Sequence, residues 1–290
     1  MHTLLHYTNR LYALVERFWH ATRTWKIVVS LIILTFLLSI GIIECKRQDW
    51  LPGSIAASIP ENHFYAVHLA FSMLLVIEVV GLVFVIARSV ADSVGKQFEI
   101  LSLILLRQAF EAFVEFEEPI RWVEFNRPVV EILVNAVGSL LIFIALGIYY
   151  RIQKHQPITA DEEEQYRFVG MKKMVSLLLL VIFTALGVDH TIRYMIQDEV
   201  YSFFSTFYTI LIFSDVLLML ISLRYCSTYH VVFRNSGFAL GTVVIRLALT
   251  APPIFNVILG VGAAGFVIVL SLAYNAFSPE IAEEDRIRIV

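Results

Sequence analysis

Charged residues are scarce in this sequence. They make up 16% of its 290 residues, whereas an average soluble domain carries about 25%. Hydrophobic residues make up 58%, and this composition predicts a protein that lies in a lipid bilayer. The net charge of −3 excludes the strongly basic surface that binding to nucleic acid requires, so we expect no nucleic-acid partner.

Cysteine is almost absent, and so are catalytic motifs. The two cysteines, Cys45 and Cys226, form no CxxC motif, and the topology predicted below places them at opposite membrane faces, where they cannot pair. The sequence contains no Walker loop, no HExxH, no GxSxG and no recognisable catalytic triad. We therefore expect neither an enzyme nor a bound cofactor or metal ion.

Long apolar runs are abundant, and about 20 apolar residues in a helix span the hydrocarbon core of a membrane. The sequence predicts an all-α polytopic membrane protein with eight transmembrane helices, at 25–44, 65–88, 97–116, 128–150, 171–190, 200–224, 236–251 and 254–276. The third and seventh segments are the least apolar, because each contains an arginine. Both are included because an internal repeat matches them.

The first four predicted helices resemble the last four, which indicates a tandem duplication. Matching positions are Lys26 and Lys172, Glu78 and Asp215, Arg107 and Arg246, and Pro128 and Pro253. An even number of helices in each unit gives two parallel repeats rather than inverted ones. The predicted division is a cytoplasmic amphipathic helix at 1–24, a first four-helix unit at 25–151, a cytoplasmic linker at 152–170, a second unit at 171–277 and a cytoplasmic tail at 278–290.

The distribution of lysine and arginine predicts the orientation of the chain. Most of the 22 lysines and arginines fall in segments on the same side as the N-terminus, and such segments are cytoplasmic in multi-pass proteins. Both termini are therefore expected in the cytoplasm. Residues 1–24 place Leu4, Leu11 and Phe18 on one helical face, which is typical of a helix lying on the cytoplasmic leaflet. Packing of this helix on the protein itself is an equally good interpretation.

Two arginines, Arg107 and Arg246, lie in the middle of predicted membrane helices. Each costs roughly 3 kcal/mol to insert at the centre of the bilayer, so each needs a partner. Counting residues from the inner helix ends places one carboxylate at the level of each arginine. We predict two intramembrane ion pairs, Glu78–Arg107 and Asp215–Arg246. These pairs either belong to an ion route or fix how neighbouring helices pack.

The third predicted helix carries a stripe of side chains four residues apart. The stripe comprises Glu99, Leu103, Arg107, Glu111 and Glu115, and the matching stripe of the seventh helix comprises Phe238, Thr242, Arg246 and Thr250. Lipid does not tolerate such a charged stripe, so we expect it to face protein or water. Because acidic groups attract cations, the carboxylates and threonines of both stripes are candidates for an ion route. Alternatively, the acidic end lies outside the bilayer.

Two further patterns are weaker. Glu44, His63, His68, Asp189 and His190 lie near predicted outer helix ends and could gather into a metal or proton site, although their spacing is not that of metal ligands. A face of small residues in the last helix comprises Gly260, Gly262 and Ala264. Such a face joins either two molecules in a homo-oligomer or two helices of one molecule.

Several of these segments resemble the PsiE family, the phosphate-starvation-inducible protein E of bacteria. The strings that carry the resemblance are LVIEVVGLVFVIAR with Glu78, LIFSDVLLMLISLR with Asp215, GTVVIRLALTAPP with Arg246 and, more distantly, FEILSLILLRQAFE with Arg107. The family is a small four-helix protein of the bacterial inner membrane, so the resemblance implies two such units fused and located in that membrane. Residues 250–253 are Thr-Ala-Pro-Pro, where the family tends to have an Asp-His pair, and we expect no role of that pair here.

These features together predict a channel or transporter-like protein for small cations or protons. The first half would supply Glu78, Arg107 and Glu111 to the route, and the second half would supply a counterpart at Asp215 and Arg246. The main alternative is a membrane scaffold or a stress or signalling protein that transports nothing, and an intramembrane enzyme is a third. Hydration separates the first two, because a route needs water at the buried charges and a scaffold needs them fully paired.

Overall fold

The computed structural model describes residues 2–52, 56–57, 59–86, 90–116, 127–153, 162–196, 203–225 and 229–288. Within these ranges the chain is helical and contains no strand, which confirms the all-α prediction. The main helices are α1 (His2–His20), α2 (Thr22–Arg47), α3 (Phe64–Val85), α4 (Val90–Glu111), α5 (Arg127–Ile152), α6 (Glu162–Met195), α7 (Phe203–Leu223), α8 (Tyr229–Thr250) and α9 (Phe255–Arg288). A short 3-10 helix, Ala112–Glu115, continues α4.

Seven of these helices, α2, α3 and α5 to α9, are long and apolar enough to cross a membrane. They expose large apolar side chains, among them Leu37, Leu140 and Val181, which water would not tolerate as continuous surfaces and which lipid covers. The protein is therefore a multi-pass membrane protein. Helix α4 is as long as α3, at 22 residues, but it carries too many charged side chains to count among the seven apolar spans found in the described part of the chain.

Helices α3, α4 and α5 run in alternating directions, as the contacts at both ends of the bundle show. At one end, Tyr149 of α5 donates a hydrogen bond to the carbonyl oxygen of Ala91 in α4, at 2.8 Å. At the other end, the Asn62 amide, just before α3, donates to the carbonyl oxygen of Phe116, just after α4, at 2.8 Å. We call the end where α3 leads into α4 the inner end and the opposite one the outer end.

One hydrophobic core lies between α1, α3, α6 and α7. Its fully buried members include Val79, Val83, Phe84, Leu179, Phe207, Tyr208 and Leu211. A second core lies between α4, α5, α8 and α9 and includes Val94, Phe98, Leu101, Ile142, Tyr149, Phe238, Ile245, Ala264 and Val267. The two cores meet where α3 packs against α4 and where α7 packs against α8.

Both cores combine helices from both predicted repeats, so the expectation of a separate four-helix bundle for each half is wrong. The third and fourth helices of the first repeat, α4 and α5, pack directly on their counterparts α8 and α9. Lipid solvates every apolar helix face equally well, so hydrophobicity does not decide which helices pack together. Close packing of their surfaces does. Small residues supply that fit here, because Gly260 and the buried Ala264 of α9 face the second core and Gly260 lies against Ile142 of α5.

Helix α1 packs on the protein at the inner end. The Tyr12 hydroxyl donates a hydrogen bond to the carbonyl oxygen of Phe84 at 2.9 Å, and the Trp19 ring stacks on the Phe84 ring with 5.8 Å between centroids. The adjacent face of α1 exposes Leu14 and Phe18. The structure therefore shows this helix packed on the protein, against α3 and α6, and contact of its exposed face with the cytoplasmic leaflet stays a prediction.

Two predicted boundaries change. Helix α6 begins at Glu162, so the predicted linker 152–170 is helical from that residue onward, whereas its residues 154–161 lie outside the described ranges. Helix α9 runs to Arg288, so the predicted tail at 278–290 continues the last helix as far as it is described. Cys226 also lies outside the described residues, and Cys45 is a free thiol.

Candidate functional site

The predicted contact between Asp215 and Arg246 is present in the structure. The Arg246 guanidinium of α8 donates two hydrogen bonds to the Asp215 carboxylate of α7, one from Nε to Oδ2 and one from Nη2 to Oδ1 at 3.1 Å. The arginine is 1% exposed and the aspartate 7%. This two-point geometry is the strongest form of an arginine–carboxylate contact, and it neutralises both charges inside the bundle.

The predicted ion pair between Glu78 and Arg107 is absent from the described residues, and this expectation is wrong. Arg107 instead donates from Nη1 to the carbonyl oxygen of Phe71 at 3.2 Å. Its Nε lies 4.0 Å from Oε1 of Glu111, one turn later on α4. Glu78 interacts electrostatically with Arg107 and Glu111 without contacting either closely. Arg107 is thus surrounded by three acceptor groups rather than bound by one.

The carboxylate one turn after the arginine explains the difference between the two halves. Arg107 has Glu111 at that position, and the two are neighbours on one helix face. Arg246 has Thr250 at the same position, and this threonine is exposed and bonded to the carbonyl oxygen of Leu247. With no competing carboxylate on its own helix, Arg246 turns fully to Asp215 on the neighbouring helix.

Tyr208 of α7 lies between the two arginine sites. It is 4% exposed and interacts electrostatically with Glu78, Arg107 and Arg246. Around it, some buried polar atoms have no hydrogen-bond partner among the residues that the structure describes: Oε2 of Glu78, Nε of Arg107 and Nη1 of Arg246. Buried polar groups are normally satisfied by protein or by ordered water, so this region is suited to hold water.

A polar cavity of about 50 Å³ extends from the Asp215–Arg246 pair toward the inner end. Its polar lining comprises Ser93, Gln97, Lys172, Asp215, Ser222, Asn235 and Thr242. A buried cavity needs only about 10–15 Å³ of probe volume for each water molecule. The cavity therefore has room for a short chain of waters that ends at the Asp215 carboxylate.

Lys172 is the residue of this site that the sequence interpretation missed. It is 3% exposed, its ammonium group lies 5.3 Å from the centre of the Phe168 ring, and it interacts electrostatically with Asp92 at the inner end of α4. The signal was present in the spacing, since Phe168, Lys172, Val175, Leu179 and Phe183 recur every three or four residues. The predicted helix start at residue 171 placed this lysine at a helix end instead.

At the outer end the same set of charges reaches the surface. The exposed His68 of α3 has its Nδ1 atom 3.9 Å from Oε1 of Glu111. We call the whole series the polar line, which comprises His68, Glu111, Arg107, Glu78, Tyr208, Arg246, Asp215 and the cavity down to Lys172 and Asp92. It follows the boundary between the two cores from the outer end to the inner end.

Three of the predicted route residues lie outside the polar line. Glu99 accepts hydrogen bonds from Tyr150 at 2.7 Å and from Lys96, whereas Glu115 and Thr250 are exposed. Thr242 does line the cavity. The predicted stripe fails because each step of four residues advances by about 40° around a helix, so that Glu99 and Glu115 differ by about 160°. Leu103, within that stripe, is 51% exposed.

The outer-end histidines and carboxylates do not gather in one place. His63 lies 3.3 Å from Glu44, His68 lies near Glu111, and Asp189 pairs with Arg193 on α6 at 3.0 Å. Within the described ranges no group of three or more potential metal ligands is present.

Comparison of the chain with protein-family models, with curated proteins and with solved structures gave no match. The resemblance of the two halves to the PsiE family therefore stays a prediction, and the candidate site stands on its geometry alone.

Proposed function

We propose that the protein conducts protons, or another small cation, along the polar line. The observation that carries the proposal is the series of ionisable and polar groups between the exposed His68 at one end and Asp92 at the other, along the boundary of two hydrophobic cores. Ionisable residues inside membrane helices are expensive and are typical of proton relays and ion pathways. A chain of them along one interface is the arrangement that such a relay needs.

The chemistry of the line favours protons over hydrated metal cations. The guanidinium groups of Arg107 and Arg246 lie along the path, and fixed positive charge opposes the passage of a cation. A proton moves instead by exchange between carboxylates, hydroxyls and water. Glu111, Glu78 and Asp215 supply carboxylates, Tyr208 supplies a hydroxyl, and the cavity supplies room for water.

The tight Asp215–Arg246 contact is the narrowest point of the proposed route. The guanidinium donates to both oxygens of the aspartate, so both are already engaged by the arginine. Conduction then requires this pair to loosen, which makes it the natural gate. If the pair never opens, the line is a structural link between α7 and α8, and the protein is a scaffold or signalling component as the alternative holds.

We further propose the membrane arrangement that suits this route. Helix α4 serves as an eighth span, shielded from lipid by α3, α5 and α8, so that both termini face the cytoplasm of a bacterial inner membrane. The two halves are parallel PsiE-like repeats that have diverged at the charged positions. Bound cofactors play no part in this mechanism.

The test is proton flux into proteoliposomes that contain the purified protein and a pH-sensitive dye, under an imposed membrane potential. Replacing Glu78 or Glu111 by glutamine keeps the shape of the side chain and removes its ability to exchange a proton. We expect each change to reduce the flux about tenfold or more. The matched control is Glu99→Gln on the same helix, because Glu99 bonds Tyr150 outside the polar line.

The outcome separates the proposals. Flux that falls in Glu78→Gln and Glu111→Gln but not in Glu99→Gln supports conduction along the polar line. If the flux is the same in Glu78→Gln, Glu111→Gln and the control Glu99→Gln, this route is excluded. Absence of flux for protons, Na⁺ and K⁺ in the folded wild-type protein favours the scaffold alternative.

A further inference from the structure

A second polar feature lies at the inner end, away from the polar line, in a cleft between α8 and α9. The cleft has a volume of about 230 Å³ and is lined by Tyr229, His230, Phe233, Arg234, Leu270 and Phe277, among others. Tyr229, Phe233 and Phe277 are more than half exposed. The cleft is thus an aromatic groove on the side of the bundle, near its inner end, and Arg234 lies at its base.

Arg234 is the unusual member of the cleft. It is 6% exposed, and its guanidinium lies over the Tyr274 ring, 4.5 Å from the ring centre. Among the described residues it makes no ion pair, and its Nε has no hydrogen-bond partner. Arg107 and Arg246, the other arginines buried as deeply, each have a carboxylate nearby. A buried and unpaired positive charge is costly unless an anion joins it.

Asp92 is the carboxylate that the contacts around Arg234 lead to, and it already has other partners. Asp92 accepts a hydrogen bond from Gln153 at 3.2 Å and lies in electrostatic range of Lys172. Gln153 and Arg234 line a small adjoining pocket, so the aspartate approaches the arginine without pairing with it. Arg234 also lines the cleft, so an uncompensated positive charge lies at the wall of the cleft.

The depth and the walls of the cleft indicate what kind of anion fits. Arg234 lies five residues after the first residue of α8, which is about 7.5 Å along the helix axis and corresponds to the border between headgroups and acyl chains. Phe233, Leu270 and Phe277 give the cleft apolar walls. Basic pockets between transmembrane helices at the cytoplasmic side bind anionic lipid headgroups, and the inner end is the cytoplasmic one in the orientation predicted from the lysines and arginines.

We propose that this cleft binds an anionic phospholipid. The headgroup phosphate accepts hydrogen bonds from Arg234, and an acyl chain lies along Phe233 and Phe277. His230, whose ring stacks on Phe277 at 5.8 Å between centroids, stands at the entrance, where it can donate a further hydrogen bond to the phosphate. The proposal is independent of conduction, because none of these residues belongs to the polar line.

The experiment is native mass spectrometry of the purified full chain, titrated with phosphatidylglycerol and, in parallel, with phosphatidylcholine of the same acyl chains. We expect a clear preference for phosphatidylglycerol. Arg234→Gln should weaken its binding about tenfold, the effect of losing one charge-assisted hydrogen bond. The matched control, Arg167→Gln, removes a positive charge from a surface pair with Glu163 at the same end and should leave binding unchanged.

A second variant tests the cleft without changing Arg234, in case Arg234→Gln misfolds. Ala273 lines the cleft and is exposed, so Ala273→Trp fills the groove while Arg234 stays in place, and it should also reduce lipid binding. Equal binding of both lipids, or unchanged binding in both cleft variants, overturns the proposal. A third titration with inorganic phosphate distinguishes the source of the anion: if phosphate alone displaces the lipid, the site is for free phosphate and the lipid assignment is wrong.

Discussion

Arg107 and Arg246 occupy matching places in the two halves of the chain, yet they are held in different ways. Arg246 is bound at two points by Asp215 and is 1% exposed. Arg107 contacts one backbone carbonyl and lies 4.0 Å from Glu111, with Glu78 nearby. Arg246 thus forms a closed pair with one carboxylate, whereas Arg107 is open, with several acceptor groups around it and no close ion pair.

Under the predicted duplication, the two copies of one element have come to hold their arginines in different ways. A closed pair holds two helices together and blocks exchange of protons, whereas an arginine shared among several groups lets charge be redistributed with little rearrangement. Under the proposed conduction, the second half would act as the gate and the first half as the approach to it. A single position, Glu111 in one half and Thr250 in the other, accounts for much of the divergence.

The largest effect is expected at the closed pair. Arg246→Leu leaves the Asp215 carboxylate buried without its partner, and breaking such a pair costs about 3–5 kcal/mol. Thermal unfolding of the purified protein in detergent measures this loss. Replacing both residues by leucine should recover much of it, because no charge is then stranded. If the double variant loses as much as the two single variants added together, the pair does not couple.

The second largest loss of stability is expected at the contact between α5 of the first half and α9 of the second half. A Cβ atom added to Gly138 of α5 would lie 2.5 Å from Cγ2 of Val257 in α9, and a branched valine yields little. We expect Gly138→Ala to destabilise the protein by about 2 kcal/mol. The control is Gly147→Ala on the same helix, where an added Cβ meets nothing within 4 Å. Equal effects of the two changes would contradict the packing of α5 on α9.

A smaller loss of stability is expected at the open arginine. Arg107→Leu removes one hydrogen bond to the Phe71 carbonyl and a long contact with Glu111, which together are worth about 1 kcal/mol. The same unfolding measurement applies, and the comparison with Arg246→Leu is the point of interest. A loss as large as that of Arg246→Leu would mean that Arg107 is also tightly paired in the membrane.

Several of these features could be predicted from the sequence. The helical class, the apolar spans and the Asp215–Arg246 contact follow from apolar runs and from the rarity of charges within them, since a lone buried arginine has few possible partners. The Glu78–Arg107 pair was predicted wrongly because this arginine does not have a single possible partner. Arg107 has more than one carboxylate within reach, and spacing alone does not choose between them.

The arrangement of the helices could not be predicted, because nothing in a lipid-facing apolar sequence states which neighbour it prefers. The packing of α4 and α5 on α8 and α9 depends on where small residues such as Gly138 and Gly260 allow close approach. The burial of Lys172 depends on α6 beginning at Glu162, well before the apolar run. Both features arise from tertiary fit and helix ends, where sequence patterns carry the least information.

The finest prediction concerns Glu111, the residue that distinguishes the two halves. Glu111→Thr gives the first half the residue found at position 250, so Arg107 loses its neighbour on α4 and keeps Glu78 as the nearby carboxylate. We expect the coupling energy between Glu78 and Arg107, measured by a double-mutant cycle with glutamine at each position, to rise by about 0.5 kcal/mol in this background. The reverse change, Thr250→Glu, should weaken the coupling between Asp215 and Arg246 by offering the guanidinium a second acceptor. If neither coupling responds, the residue one turn after the arginine is not what separates a closed pair from an open one, and the cause lies in how α3 and α7 are placed.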